Sequence, residues 1–395
     1  MIDLENLPSD FASDPFPYYD RLLAKAPICA QADGSFILSK HADLSAIYKD
    51  TAGFISDKRG VFAPKFGENS PLFEHHTTSL VFNDPPLHTR VRSIMSSALA
   101  PRALQNMRQP LIETVDRLLD GLSGSVDLIE DFAARIPIQV IGNLLDVPHS
   151  ERGPLREWSL AILGALEPVL TADELAKGQR AVEDFKTYLT GLIADRRGRP
   201  GDPETDVLTR LIMGDATGKL SEIELIQNCI FILNAGHETT TNLIGNGLAL
   251  LHDHPEQKDR LIHDGALIAP AIEEVLRLRA PNQFGNRVVA RRCTLRGVSL
   301  PKGANLHLCI GAANRDPEVF DQPETFDITR SPNRHLAFAA GAHVCVGLTL
   351  ARMEGQIAIQ RFLARFPRFS ITGAGLGGRV RFHGFQSLRA TLEDR

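Results

Sequence analysis

"HLAFAAGAHVCVG", residues 335–347, sets one cysteine, Cys345, two residues after a histidine and between glycines. Four roles suit such a residue: a small core hydrophobe, a nucleophile, half of a metal clip, or a lone thiolate ligand. Each requires different companions elsewhere in the chain. Cys345 directly precedes "VGLTLARMEGQIAIQRFLARF", an amphipathic helical pattern. A helix amino terminus favours a thiolate through its dipole and its free N–H groups. Gly341 and Gly347 let backbone or a flat group approach closely, and Phe338 can cover the sulfur. A cysteine hydrolase needs a separate base, and His343 is too near in sequence to serve.

The rest of the chain narrows the setting. Its 395 residues carry 43 Lys+Arg against 48 Asp+Glu, a net charge of -5, which argues against nucleic acid as the main partner. Hydrophobic residues at 43% and charged residues at 23% match a globular protein with a sizeable core. The first twenty residues hold no apolar run, so neither a signal peptide nor a membrane anchor is expected, and the expected location is the cytoplasm. Cys29, Cys229, Cys293, Cys309 and Cys345 include no CxxC pair, which removes the zinc clip and a disulfide framework.

Helical spacing dominates. "PFPYYDRLLAKA" and "PPLHTRVRSIMSSAL" begin with proline in the first turn, and "QPLIETVDRLLDGL", "FAARIPIQVIGNLL" and "DELAKGQRAVEDFKTYLTGLIADRR" repeat apolar residues at helical intervals. "RRGRPGDPETD" (196–206) is a loop between helices. Ser221 and Glu224 form a capping-box pattern ahead of a long apolar segment that Pro255 closes, giving about 33 residues or roughly 50 Å of helix. Strand-like pieces occur at "SFILS", "NRVVARRCTL" and near the carboxyl end. The expected fold is mainly α with minor β, in one large domain spanning residues 1–395.

Within the long helix, "AGHETTT" (235–241) interrupts the apolar pattern. Glu238 and Thr239 place an acid and an alcohol in the middle of the protein, which suits a proton relay and equally suits a threonine bonded to a carbonyl one turn back. Glu274 and Arg277 share a helix face and form a structural ion pair. His88 and Arg92 lie four apart in "FNDPPLHTRVR". With Arg287 and His343 they form a dispersed basic group able to hold a dianionic ligand.

Four motifs in this order resemble the cytochromes P450, over essentially the whole chain. The heme-binding pattern Phe, Gly, x, Gly, x, His or Arg, x, Cys, x, Gly is met by Phe338, Gly341, His343, Cys345 and Gly347, with Ala339 at the first glycine. Glu238 and Thr239 match the acid–alcohol pair of the oxygen-binding helix. Glu274 and Arg277 match Glu-x-x-Arg, and "DPPLHTRVR" matches the helix whose His and Arg meet a heme propionate. A family arginine that often completes the Glu/Arg pair is absent, since "PETF" (323–326) has Thr325; Arg315 or Arg330 is expected to replace it.

The resemblance implies heme b between the long helix and the cysteine-loop helix, with Cys345 as the metal ligand. His88, Arg92, Arg287 and His343 are then expected at the propionates. Ala235, Gly236, Glu238 and Thr239 are expected on the O2 side, Glu238 gathering protons and Thr239 presenting them. The implied activity is a monooxygenase placing one oxygen atom of O2 into a C–H bond of a small molecule, by hydroxylation or oxidative dealkylation. Electrons are expected from NAD(P)H through a ferredoxin reductase and a ferredoxin, the latter meeting a basic patch of Arg92, Arg102, Arg108 and Arg352. A peroxide-driven heme-thiolate enzyme, a non-catalytic heme sensor and a heme-free helical binding protein are the competing functions. Family alignment puts Phe231, Asn234, Gln283, Phe284 and Phe385 at the substrate and the loop 72–78 as a lid; Lys58 and Arg59 of "SDKRGVF" suit a substrate carboxylate and equally suit solvated loop cations. Asn234 and Gln283 favour a substrate with an oxygen function, because buried amides need partners.

Overall fold

The computed structural model describes residues 2–393 apart from 100 and 217, and excludes the side chains of 101–103. Helices dominate and the sheets are small, as the spacing predicts. The chain divides into two compact units, Met1–Phe54 with Leu111–Ile136 and Thr239–Arg395, and Ile55–Pro110 with Pro137–Glu238.

The first unit holds the strands. Phe36–Leu38 runs parallel to Asn305–Cys309, which pairs antiparallel with Phe284–Val289 so that Arg287 faces Leu306 across the ladder. Leu306, Leu308, Leu38 and Val289 turn into one core with Leu44, Ile47 and Tyr48 of the helix His41–Lys49. A second sheet sets Phe385–Leu392 between Ser125–Asp127 and Phe369–Leu376. Helices Ile268–Leu278 and Leu348–Arg365 pack against each other.

The second unit is helical, and its terminations are chemically specified. Thr171 and Glu174 close a capping box on Ala172–Gly198. The box expected at Ser221 is present: Ser221 N–H donates to Glu224 Oε2 at 2.8 Å and Glu224 N–H to Ser221 Oγ at 3.4 Å. Arg90 braces the same carboxylate through two further hydrogen bonds. The helix that follows, Glu222–Asp253, has 32 residues and so about 48 Å of rise.

Two expectations change. The segment 72–78 is a helix, Pro71–Thr78, because Ser70 caps Phe73 N–H at 3.2 Å and Pro71 occupies the first turn. "SPLFE" carried that signal. "FAARIPIQVIGNLL" begins as a wider π turn, Leu128–Ala133, which Asp127 caps, before the helix Arg135–Leu144.

Burial of two histidines has a pH consequence. His75 lies fully inside the second unit and donates from Nδ1 to Gln227 Oε1, whose own amide nitrogen is committed to Glu74. Burial pushes its pKa down to about 4, and burial does the same to His383 in the first unit. Both are neutral in the folded chain while the unfolded chain protonates them below pH 6.5. Stability is therefore complete above that value and lost as pH falls from 6.5 toward 4. Urea unfolding at pH 5 should show a loss of roughly 2 kcal/mol from each histidine relative to pH 7, and His75→Phe should remove part of that pH dependence.

Candidate functional site

Residues 335–347 form a tight loop that ends on a helix. Ala339 N–H donates to Leu336 O at 2.8 Å, Val344 N–H to Gly341 O at 3.1 Å, and Cys345 N–H to Phe338 O at 3.0 Å. Gly341 has φ +70, and a Cβ there would stand 2.3 Å from the carbonyl oxygen of Tyr48 at the end of the helix His41–Lys49. Glycine is thus required twice, by conformation and by closeness. Gly341→Ala should displace the loop, with heme content and thermal midpoint both falling; retention of both at wild-type level would contradict this. The departure at Ala339 also has a conformational meaning. It has φ +57, a region that costs an L-residue about 1–2 kcal/mol.

Cys345 is half-buried, two residues ahead of Gly347, the N-cap of Leu348–Arg365. His343 is half-buried beside it. Arg287 is buried on its strand, donates to Asn286 O at 2.7 Å, and has its guanidinium 5.0 Å from the centre of the Tyr48 ring. Sequence spacing gave no sign of that support by Tyr48. Also in this unit, Thr239 is half-buried, Phe284 is in the core with Tyr19 and Ile37, and Phe385 is buried with Arg279 over its ring at 6.0 Å. Gln283 is buried; its Nε2 donates to Ala280 O at 2.6 Å, its backbone carbonyl accepts Ile310 N–H, and its Oε1 has no hydrogen-bond partner.

Glu274 and Arg277 are fully buried, joined by hydrogen bonds of 2.7 and 2.8 Å. Arg277 also donates to the carbonyls of Asn314, Pro323 and Thr325. Arg330 is the replacement for the missing arginine: its Nε lies 3.1 Å from Glu274 Oε1. Arg315 instead stacks on Phe16 at 3.9 Å. Asn333, which the sequence did not single out, donates to Glu274 Oε2 at 3.0 Å.

In the second unit, His88 is buried and Arg92 half-buried on Leu87–Ala98. On the long helix Glu238 and Asn234 are buried, while Phe231, Ala235 and Gly236 are half-buried. A Cβ at Gly236 would meet Ile141 at 2.3 Å, so this glycine admits a neighbouring side chain. Asn234 is 2% exposed, and neither its Oδ1 nor its Nδ2 has a hydrogen-bond partner. Lys58 is buried, and Arg59 is engaged by Asp57, Thr77 O and Asn83. Of the expected basic patch, Arg108 is exposed and the Arg102 side chain lies outside the described residues. Arg352 in the first unit is held by Glu273 through two bonds of 2.7 Å, which offset its charge.

Among the described residues no group of three or more His, Cys, Asp or Glu could hold a metal ion. A single cysteine does not retain a bare ion, but it would fit an iron that brings further ligands of its own. The donor set therefore fits heme.

A family model, Cytochrome P450, matches residues 163–372. The chain is 36% identical over 369 residues to the biotin biosynthesis cytochrome P450 of Bacillus subtilis, covering 92% of each. It is 33% identical over 387 residues to 6-deoxyerythronolide B hydroxylase of Saccharopolyspora erythraea, covering 94% of this chain and 93% of that one. The crystal structure of P450BioI with a hexadec-9Z-enoic acid ligated acyl carrier protein superposes with a TM-score of 0.92 at 34% identity, covering 98% and 99%. The chain belongs to the cytochrome P450 family. It is a monooxygenase, an oxidoreductase that uses heme iron, O2 and electrons from a reductant. No helix among the described residues is long and apolar enough to cross a membrane.

Proposed function

We propose that the chain is a heme b monooxygenase whose iron Cys345 would hold, that takes its electrons from NAD(P)H through a ferredoxin and oxidises a small oxygen-bearing organic molecule. The cysteine loop carries this proposal, since Cys345 is anchored by its N–H to Phe338 O directly ahead of a helix N-terminus. Heme, when bound, supplies the activation of O2, so that R–H, O2, two electrons and two protons give R–OH and water. The chain's residues supply the rest. The family resemblance assigns His88, Arg92, Arg287 and His343 to the propionates, through charge-assisted hydrogen bonds. Buried Glu238 would draw protons inward, and the Thr239 hydroxyl would present them on the O2 side.

Asn234 supports the substrate class. A buried amide without partners costs about 1–3 kcal/mol, which a substrate hydroxyl, carbonyl or carboxylate would offset. The acyl chain named with P450BioI, hexadec-9Z-enoic acid, is an oxygen-bearing molecule of this kind. The family resemblance assigns Phe231, Gln283, Phe284 and Phe385 to the substrate as well.

Reconstitution with a ferredoxin, its reductase and NADPH separates this function from a peroxide-driven one. Thr239→Ala should reduce product per NADPH by about 10²-fold, the scale of a lost proton-transfer group, while NADPH consumption continues. A variant with wild-type coupling, or a wild type active only with peroxide, would show the peroxide-driven enzyme instead. Asn234→Leu should weaken the spectral shift given by oxygen-bearing ligands more than that given by hydrocarbons.

A further inference from the structure

Three side chains of the first unit meet on the cysteine loop without a part in the chemistry above. Glu273, next to Glu274 on Ile268–Leu278, accepts Arg352 Nε at Oε1 and Arg352 Nη2 at Oε2, each at 2.7 Å. His335 Nε2 is 3.1 Å from Glu273 Oε2. The Nδ1 of His335 accepts the N–H of Ala337 at 3.2 Å, which leaves Nε2 to donate to the carboxylate. Burial would raise the Glu273 pKa, but the hydrogen bonds from His335 and Arg352 outweigh it and hold the carboxyl at about 2.

The cation reaches further than its carboxylate. The Arg352 guanidinium lies 4.8 Å from the centre of the Phe338 ring, which His335 also flanks at 6.0 Å. The carbonyl of Phe338 is the acceptor of the Cys345 N–H. The hydrogen bonds to Glu273 hold the Arg352 pKa above its ordinary value. One guanidinium thus serves a carboxylate on one side and the ligating cysteine's loop on the other. Helix Ile268–Leu278, the start of the loop and helix Leu348–Arg365 each contribute one member, so the arrangement is fixed from three directions.

We propose that Glu273, His335 and Arg352 are positioning residues that set the electron donation of the Cys345 thiolate, Arg352 withdrawing charge from the sulfur and Glu273 limiting that withdrawal. This rests on the heme-thiolate assignment made above. Charge and hydrogen bonding around the ligating sulfur are established levers on the potential of a thiolate-ligated iron. The two charged members act with opposite sign. Glu273→Gln leaves the cation uncompensated, favours the reduced iron and moves the ferric/ferrous midpoint potential upward. Arg352→Gln leaves the carboxylate alone and moves it downward. Arg352→Lys retains the charge without the planar fork and stays nearer wild type than Arg352→Gln.

The test is spectroelectrochemical titration of the wild-type, Glu273→Gln, Arg352→Gln and Arg352→Lys holoenzymes, with their thermal midpoints recorded in parallel. A clamp that serves only the fold lowers the thermal midpoint in all three variants and displaces the potentials together or not at all, and that result overturns the proposal. Opposite displacements for the glutamate and arginine variants, with the lysine variant between Arg352→Gln and wild type, support it. Should the reduced wild type with CO lack a thiolate-type Soret band, the heme assignment itself fails and the clamp with it. Unmoved potentials beside a normal band sink the clamp alone.

Discussion

Cys345→Ser is expected to abolish NAD(P)H-driven product formation and the strongly red-shifted Soret band of the reduced CO complex, while leaving the fold standing. The change is nearly isosteric at a half-buried position, and the N–H of residue 345 still reaches Phe338 O. What is lost is the anion. A thiol ahead of a helix N-terminus ionises more readily than a hydroxyl, so the iron that Cys345 would hold would lose its electron-rich ligand. Heme uptake should weaken, and any heme retained should show a spectrum without thiolate character. Thermal unfolding of Cys345→Ser near the wild-type midpoint, together with silent turnover, identifies the effect as ligand loss. Persistent turnover in that variant would mean that the sulfur is not the ligand.

Arg277→Lys has the largest expected effect on stability. The guanidinium uses Nε and Nη2 on Glu274, Nη1 on the carbonyls of Asn314 and Pro323, and Nη2 again on that of Thr325. A lysine keeps the charge but cannot span five acceptors, and Glu274 is 0% exposed in its side chain, so water cannot make up the difference. Breaking a buried pair in this way costs about 3–5 kcal/mol, a large part of the roughly 5–15 kcal/mol of a folded protein. The expected outcome is a sharply lowered urea midpoint and little heme-loaded protein. Arg330→Gln, which removes the outer contact to Glu274 at 3.1 Å, should produce the same defect in milder form. A wild-type urea midpoint for Arg277→Lys would contradict the role of the pair as a structural anchor.

How far the sequence carried these conclusions differed with the range of each interaction. Local signals were dependable: proline in first turns, the Ser221–Glu224 box and the glycine-framed cysteine act over four or five residues, and the structure shows the elements they imply. Family resemblance added the order of motifs and the chemistry. Long-range partners were less legible. Both Arg315 and Arg330 suited the Glu274 network, and only the folded path shows Arg330 reaching it while Arg315 turns to Phe16. The helix Pro71–Thr78 was readable from Ser70 and Pro71 but was hidden by its polar "EHHTT", whose two histidines turn inward. Tyr48 beneath Arg287, and Glu273 holding Arg352, join residues far apart in the chain, and no spacing rule announces such pairs. The alanine at 339 was visible as a departure from pattern. Its cost, a positive φ on a residue with a Cβ, required the backbone.

The most direct test of the central claim is the absorption spectrum of the purified, dithionite-reduced wild-type protein under CO. A strongly red-shifted Soret maximum, lost in Cys345→Ser, is the predicted result. A maximum at the position typical of histidine-ligated heme, or a protein that takes up no heme, would contradict the assignment of Cys345 as the iron ligand.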